Sequence, residues 1–161
     1  MLLRTTLAAR TRTVGADDQG TLATEGHLIN ALLHLGEHAE VGALGRLTLE
    51  KQRRIIGRDH RDTLTLSAYL ASSLSYQDKH AEAVEIEREV LVLRTRLHGA
   101  EHESTLSSAI NLACSLLRRG QNTKGGQLLR EMLALSRHAL GPAHELTQSI
   151  LRAMRAFGLE P

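Results

Sequence analysis

Tryptophan is absent from this 161-residue chain, and Tyr69, Tyr76 and Phe157 are its only aromatic residues. Sheet-rich domains draw on aromatic and β-branched side chains that pack on a pleated face, so this shortage, set beside 30 leucines and two prolines, favours helix. It also argues against modules that read single-stranded nucleic acid by stacking bases on rings. Cys114 is the single cysteine, which excludes an internal disulfide and a Cys-rich zinc site and fits a reducing, cytoplasmic setting. No charge of one sign dominates: 20 Lys+Arg face 18 Asp+Glu for a formal +2, interspersed along the chain, so no field directed at DNA or a membrane surface is expected. No stretch approaches the roughly 18 to 20 apolar residues that span a bilayer.

What is present is one domain's worth of sequence, 42% hydrophobic and 24% charged, enough to bury a core. The first 16 residues contain arginine, threonine and leucine without an acid, as mitochondrial transit peptides do. A repeat accounts for them better. Gly15, Gly57, Gly99 and Gly141 lie 42 residues apart, each followed six residues later by Thr21, Thr63, Thr105 and Thr147. Leu7, Leu49, Leu91 and Leu133 keep the same register, as do Arg4, Arg46, Arg88 and Arg130. The segment before Gly15 aligns with 128–141 at three whole periods, so it reads as the back half of a repeat.

Each period reads as two helices. Leu64, Ala68, Leu70, Ala71 and Leu74 recur at helical spacing after a Gly-led linker, and Asp62 or Thr63 is placed to cap that helix. A turn follows near Gln77–His80, where the other copies carry Gly36 and Gly120, residues suited to a left-handed helix end. Ala83, Ile86, Val90, Leu91, Leu93 and Leu97 then mark a second amphipathic helix that closes on Gly99. Extended along the chain, the pattern predicts eight helices at about 2–14, 21–35, 38–55, 63–77, 80–97, 105–119, 122–139 and 147–157. No helix pair could stand alone, because each buries its leucine face against the next.

The stretch Leu70-Ala71-Ser72-Ser73-Leu74-Ser75-Tyr76-Gln77-Asp78-Lys79-His80-Ala81-Glu82-Ala83 resembles the tetratricopeptide signature. The 42-residue period and the linker Gly57-Arg58-Asp59-His60-Arg61-Asp62-Thr63-Leu64, copied at 99–106 and begun again at Gly141, resemble the longer kinesin light chain variety. HEAT repeats have a similar period, but the Leu-Ala and Glu-Ala spacings fit the tetratricopeptide pattern better. The resemblance implies an all-α fold, a right-handed α-α superhelix or solenoid: a half repeat at 1–14, repeats at 15–56, 57–98 and 99–140, and a half repeat at 141–161. His38, His80 and Asn122 depart from the pattern where tyrosine is usual. Gly125-Gly126 replaces the Glu-Ala region, which is expected to make that helix the weakest, since a helical glycine costs about 1 kcal/mol relative to alanine.

Four features offer chemistry. His34-Leu35-Gly36-Glu37-His38 matches H-x-x-E-H of zinc peptidases, but it straddles the expected turn at Gly36 and lacks a marked third ligand, so no metal is assigned. His60, His102 and His144 form a column 42 residues apart, where each is expected to pack or cap its own linker. Cys114 has no base in its pattern, and Gly120 to Gly126 lacks the Lys-Ser/Thr of a phosphate loop. No catalytic residue and no cofactor is assigned, and the chain is read as not an enzyme.

The resemblance implies binding instead. In tetratricopeptide arrays the first helices of successive repeats line a concave groove that holds an extended peptide or a partner helix. Carried over by position, its lining includes His27, Asn30, His34, Tyr69, Ser72, Tyr76, Asn111 and Arg118. The positions matching the carboxylate clamp of chaperone-binding relatives are Gly26, Asn30, Tyr69, Ser107 and Asn111, of which only Asn30 fits, so that clamp is not expected. Kinesin light chain grooves take short peptides with acidic residues, which Arg118, His27 and His34 would suit. The expected role is a non-catalytic interaction scaffold with a protein or peptide partner and neither nucleic acid nor membrane. The alternative is a self-associating segment of a larger signalling or motor assembly, joined through apolar array ends at Leu3 and Leu7 and at Ile150, Met154 and Phe157.

Overall fold

The computed structural model describes residues 2–160. Among them are eight α-helices and no strand: α1 (Leu2–Thr13), α2 (Gln19–His34), α3 (His38–Ile55), α4 (Arg61–Tyr76), α5 (His80–His98), α6 (Glu103–Arg118), α7 (Asn122–Ala139) and α8 (Glu145–Ala156). They divide into two compact units, residues 1–78 and 79–161.

The first helices of the repeats begin two residues earlier than Asp62 or Thr63 would have them begin. His60, in extended backbone, is the N-cap of α4, and its Nδ1 accepts the Asp62 N–H at 3.2 Å. His102 accepts from Ser104 and His144 from Leu146, each at 3.2 Å, while Asp18 caps α2 through the Thr21 N–H at 2.9 Å. The histidine column therefore satisfies a donor that each helix start would leave unpaired. The threonine column closes the linker in two copies. Thr63 donates its hydroxyl to the Gly57 carbonyl and Thr147 to that of Gly141, both at 2.8 Å. Thr105 is buried in the same place with no partner for its hydroxyl.

In the unit of residues 1–78, α2, α3 and α4 pack on one another, and α1 lies against α2. Leu22, Ile29 and Leu32 of α2, Val41 and Leu49 of α3, and Leu64, Leu70 and Leu74 of α4 are buried. The chain turns between α2 and α3 at Gly36, whose φ of 78° is left-handed; Asp78, one period on, is the single described non-glycine residue in that region, at 59°. Buried and half-buried polar bonds join the helices. Thr48 donates to Glu25 at 2.8 Å and Lys51 pairs with it at 3.0 Å, while Ser73 and Gln77 both donate to the His38 carbonyl.

In the unit of residues 79–161, Ala113 and Leu117 of α6, Leu129 and Leu133 of α7, and Ile150 and Met154 of α8 form one buried cluster. One expectation fails here. Ile150 and Met154 are fully buried rather than an open array end, and Phe157 leans on the same cluster, because α8 turns its apolar stripe onto α7 and α6. Gly125 is also more than a weak point. A Cβ there would lie 2.6 Å from Leu117 Cγ and 2.9 Å from the Ala113 carbonyl, so the glycine permits a close approach of α7 to α6.

Candidate interaction groove

Along α2, Ala23, His27 and Asn30 fall on one stripe, and along α4 so do Asp62, Thr65 and Tyr69, by the three- and four-residue spacing that aligns side chains on a helix face. The packing of α2 beside α4 turns the two stripes toward a pocket of about 220 Å³ within residues 1–78, lined also by Gly26, Gln52, Arg61 and Leu66. Asn30 and Tyr69 are half-buried, and His27, Arg61 and Asp62 are exposed. Thr65 donates back to the Arg61 carbonyl at 2.9 Å.

Gln52 reaches this pocket from α3. It is 2% exposed, and its Oε1 is buried without a hydrogen-bond partner. The same position one and two periods on holds Arg94 and Ser136. Arg94 donates to Ser108 Oγ at 2.7 Å and to the Ser104 carbonyl at 3.1 Å, and Ser136 donates to the Leu133 carbonyl at 3.2 Å. Gln52 therefore differs from both copies in carrying an unsatisfied buried acceptor, a group that native proteins leave unpaired only rarely.

Of the residues expected on the groove, His27, Asn30 and Tyr69 come together at this pocket. His34 and Ser72 lie on the same helices but outside its lining. Tyr76, at the end of α4, stacks on His38 with ring centroids 4.5 Å apart and planes 8° apart, and keeps 64% of its surface exposed. Gln52, Arg61 and Asp62 were not expected. A buried polar residue on the back helix, in a column with Arg94 and Ser136, was the signal available for Gln52.

Asn111, half-buried, and Arg118, exposed, lie on α6 in the other unit. Behind them α5 buries Glu87, whose Oε1 accepts from Ser115 at 3.1 Å while Oε2 has no partner. Burial pushes this carboxyl up to about 7, against the Ser115 hydrogen bond and the Arg118 charge, which favour the carboxylate. Burial raises the Cys114 thiol above its ordinary value as well, with Arg118 opposing and Glu87 adding, so the thiolate needed of a nucleophile is scarce at neutral pH.

The H-x-x-E-H string is split between helices: α2 ends at His34 and α3 begins at His38. Among the described residues no three His, Cys, Asp or Glu side chains are grouped to hold a metal ion, and no helix is long and apolar enough to cross a membrane.

The tetratricopeptide repeat family profile matches residues 63–104 and 105–145, together about half of the chain. Two crystal structures of kinesin light chain-type, nearly identical TPR-like repeats from Podosopora anserina, one of them a glutamine-to-methionine variant, superpose with TM-scores of 0.84 for the variant and 0.82 for the other. Each is 24% identical and is matched over 98% of this chain and 76% of its own length. The shared fold is an all-α solenoid of TPR-like helix pairs. No curated protein sequence matches the chain.

Proposed function

The chain belongs to the tetratricopeptide repeat family, whose repeats are generally non-catalytic protein–protein interaction modules, and on that premise we propose that the α2–α4 pocket holds an extended peptide of a protein partner. The observation that carries this reading is the set of side chains around one concavity: Tyr69 and His27 offer ring surface, and Asn30 and Gln52 offer carboxamides. Aromatic area at low entropy cost and carboxamides that bond a backbone are what a peptide groove uses. A volume of 220 Å³ lies under the roughly 300 Å³ at which small-molecule pockets begin and suits part of a peptide better than a cofactor.

In the unit of residues 79–161, Asn111 and Arg118 on α6 are read as a set of contacts of their own, with Arg118 taking an acidic residue. His34, Ser72 and Tyr76 extend the α2 and α4 faces beyond the pocket. The working compartment is the reducing cytoplasm, as the lone, half-buried Cys114 suggests. Self-association through the C-terminal end of the array is not part of the proposal, because Ile150 and Met154 are buried.

The test is selection of binders from a displayed library of random peptides on the purified chain, followed by titration of the winners against a folded Asn30→Ala/Tyr69→Ala variant. Binding weakened at least about tenfold, a difference of about 1.4 kcal/mol, supports the groove. Equal affinity for both chains places the interaction elsewhere.

A further inference from the structure

Glu87 stands where the other second helices carry no charge. The equivalent positions of α1, α3 and α7 hold Leu3, Gly45 and Leu129, so the packing of the array does not call for a carboxyl there. Its stripe neighbours on α5, Val84 and Leu91, pack with Leu112 and Leu116 of α6 and Leu128 of α7. In this apolar seam Ser115 donates to Oε1 at 3.1 Å, and Oε2 is buried without a partner. An acid held in such surroundings is costly to ionise, and groups of that kind concentrate where a protein uses their titration.

In the unit of residues 79–161 the helix packed on α5 is α6, and it brings Cys114, Ser115 and Arg118 to this carboxyl. On α5 itself, Glu85 and Arg88 pair with each other at 3.9 Å on its solvent side. The Cys114 thiol feels Arg118 and Glu87 in opposite senses, and Glu87 feels Arg118, so the three side chains share one electrostatic neighbourhood. Arg118 lies one helical turn past Ser115 and is exposed, so it can meet a ligand while its charge acts on the buried carboxyl.

The charge of Arg118 thus serves two anions. An ionised Glu87 draws on it from the buried side and repels a second carboxylate, whereas a protonated Glu87 does neither. By reciprocity, an acidic group bound at Arg118 offsets the charge that favours the Glu87 carboxylate and so promotes its protonation. Burial sets that carboxyl at about 7, which brings the exchange into the neutral range, where Cys114 stays a thiol. Resting on the reading of Arg118 as the contact for an acidic residue, we propose that Glu87 is a proton switch behind that contact: an acidic side chain of the partner binds Arg118 as Glu87 takes up a proton from solvent, and is released as Glu87 ionises.

The experiment starts from acidic peptides selected at pH 6 on the native chain from the displayed random library, keeping those that Arg118→Gln weakens at least about tenfold. Calorimetric titration should show their affinity for the native chain falling at least about threefold between pH 6 and pH 8. At pH 7, binding heats in two buffers of different ionisation enthalpy should report proton uptake. Glu87→Gln should keep its pH 6 affinity at pH 8 and take up no such proton, and groups elsewhere that titrate over this range act on both chains alike. In the free protein, the Glu87 carboxyl followed by its carbon NMR shift should titrate at higher pH in Arg118→Gln than in the native chain. Peptides that need Arg118 but show the same pH dependence on Glu87→Gln, or a Glu87 midpoint that Arg118→Gln leaves in place, would overturn the switch and leave the Arg118 contact standing. Failure to select any acidic peptide that depends on Arg118 would overturn that contact and the switch with it.

Discussion

Replacing Glu87 by glutamine should make the chain more stable at pH 8 and remove the part of the pH dependence of stability that this carboxyl is expected to contribute. Glu87 is 3% exposed, and burial lifts its carboxyl from 4.5 to about 7. Between those values the folded chain holds a proton that the unfolded chain releases. The contribution of Glu87 to stability is therefore fully present below pH 4.5 and is lost as the pH rises through about 7. The displacement corresponds to about 3 kcal/mol of differential stability, because one pH unit is worth 1.36 kcal/mol. Glutamine keeps an oxygen to accept from Ser115 and carries no charge, so its cost does not change with pH. Urea unfolding followed by circular dichroism, repeated from pH 4 to 8.5, isolates the effect as the difference between the two chains, since other titrating groups cancel. That difference should be near zero at pH 4.5 and grow toward about 3 kcal/mol in favour of the variant at pH 8. A difference independent of pH, or a less stable Gln variant at pH 8, would refute the argument from burial.

Three further outcomes follow from packing and hydrogen bonding. Gly125→Ala should destabilise by about 1–3 kcal/mol through its clash with Leu117 and the Ala113 carbonyl, whereas Gly26→Ala, with nothing within 4 Å of its new Cβ, should stabilise α2 by up to about 1 kcal/mol; paired thermal melts decide both. Thr63→Val should cost about 1 kcal/mol by freeing the Gly57 carbonyl, while Thr105→Val, which removes an unpartnered hydroxyl, should be neutral or stabilising in urea titrations. Cys114 should react with a disulfide reagent at pH 8 more slowly than free cysteine and recover that rate in denaturant, as absorbance of the released thiol would report.

The 42-residue register made the helix pairs legible in advance, and the starts of α3, α5 and α7 were expected at the residues where they fall. The starts of α4, α6 and α8 were expected two residues too late, because the histidine column, expected to pack or cap its linkers, supplies the ring nitrogen that caps each helix. His27, Asn30 and Tyr69 were expected on a groove by position in the tetratricopeptide pattern, and the structure brings the three to one pocket, since spacing decides which side chains of a helix share a stripe. Gln52 escaped notice because it comes from the back helix, and only the approach of α3 to the α2–α4 seam brings it to the pocket. Met154 was misread, and the packing role of Gly125 went unseen, for the same reason. Propensity and chain position say nothing of how near α7 lies to α6, or that α8 folds its apolar stripe onto both.

The most direct measurement is a chemical-shift map of the isotope-labelled chain titrated with one library-selected peptide. The account predicts perturbations concentrated at His27, Asn30, Thr65 and Tyr69 and at the side-chain amide of Gln52. Perturbations confined to the exposed side of α3 around Leu47, or to residues 79–161, would contradict it.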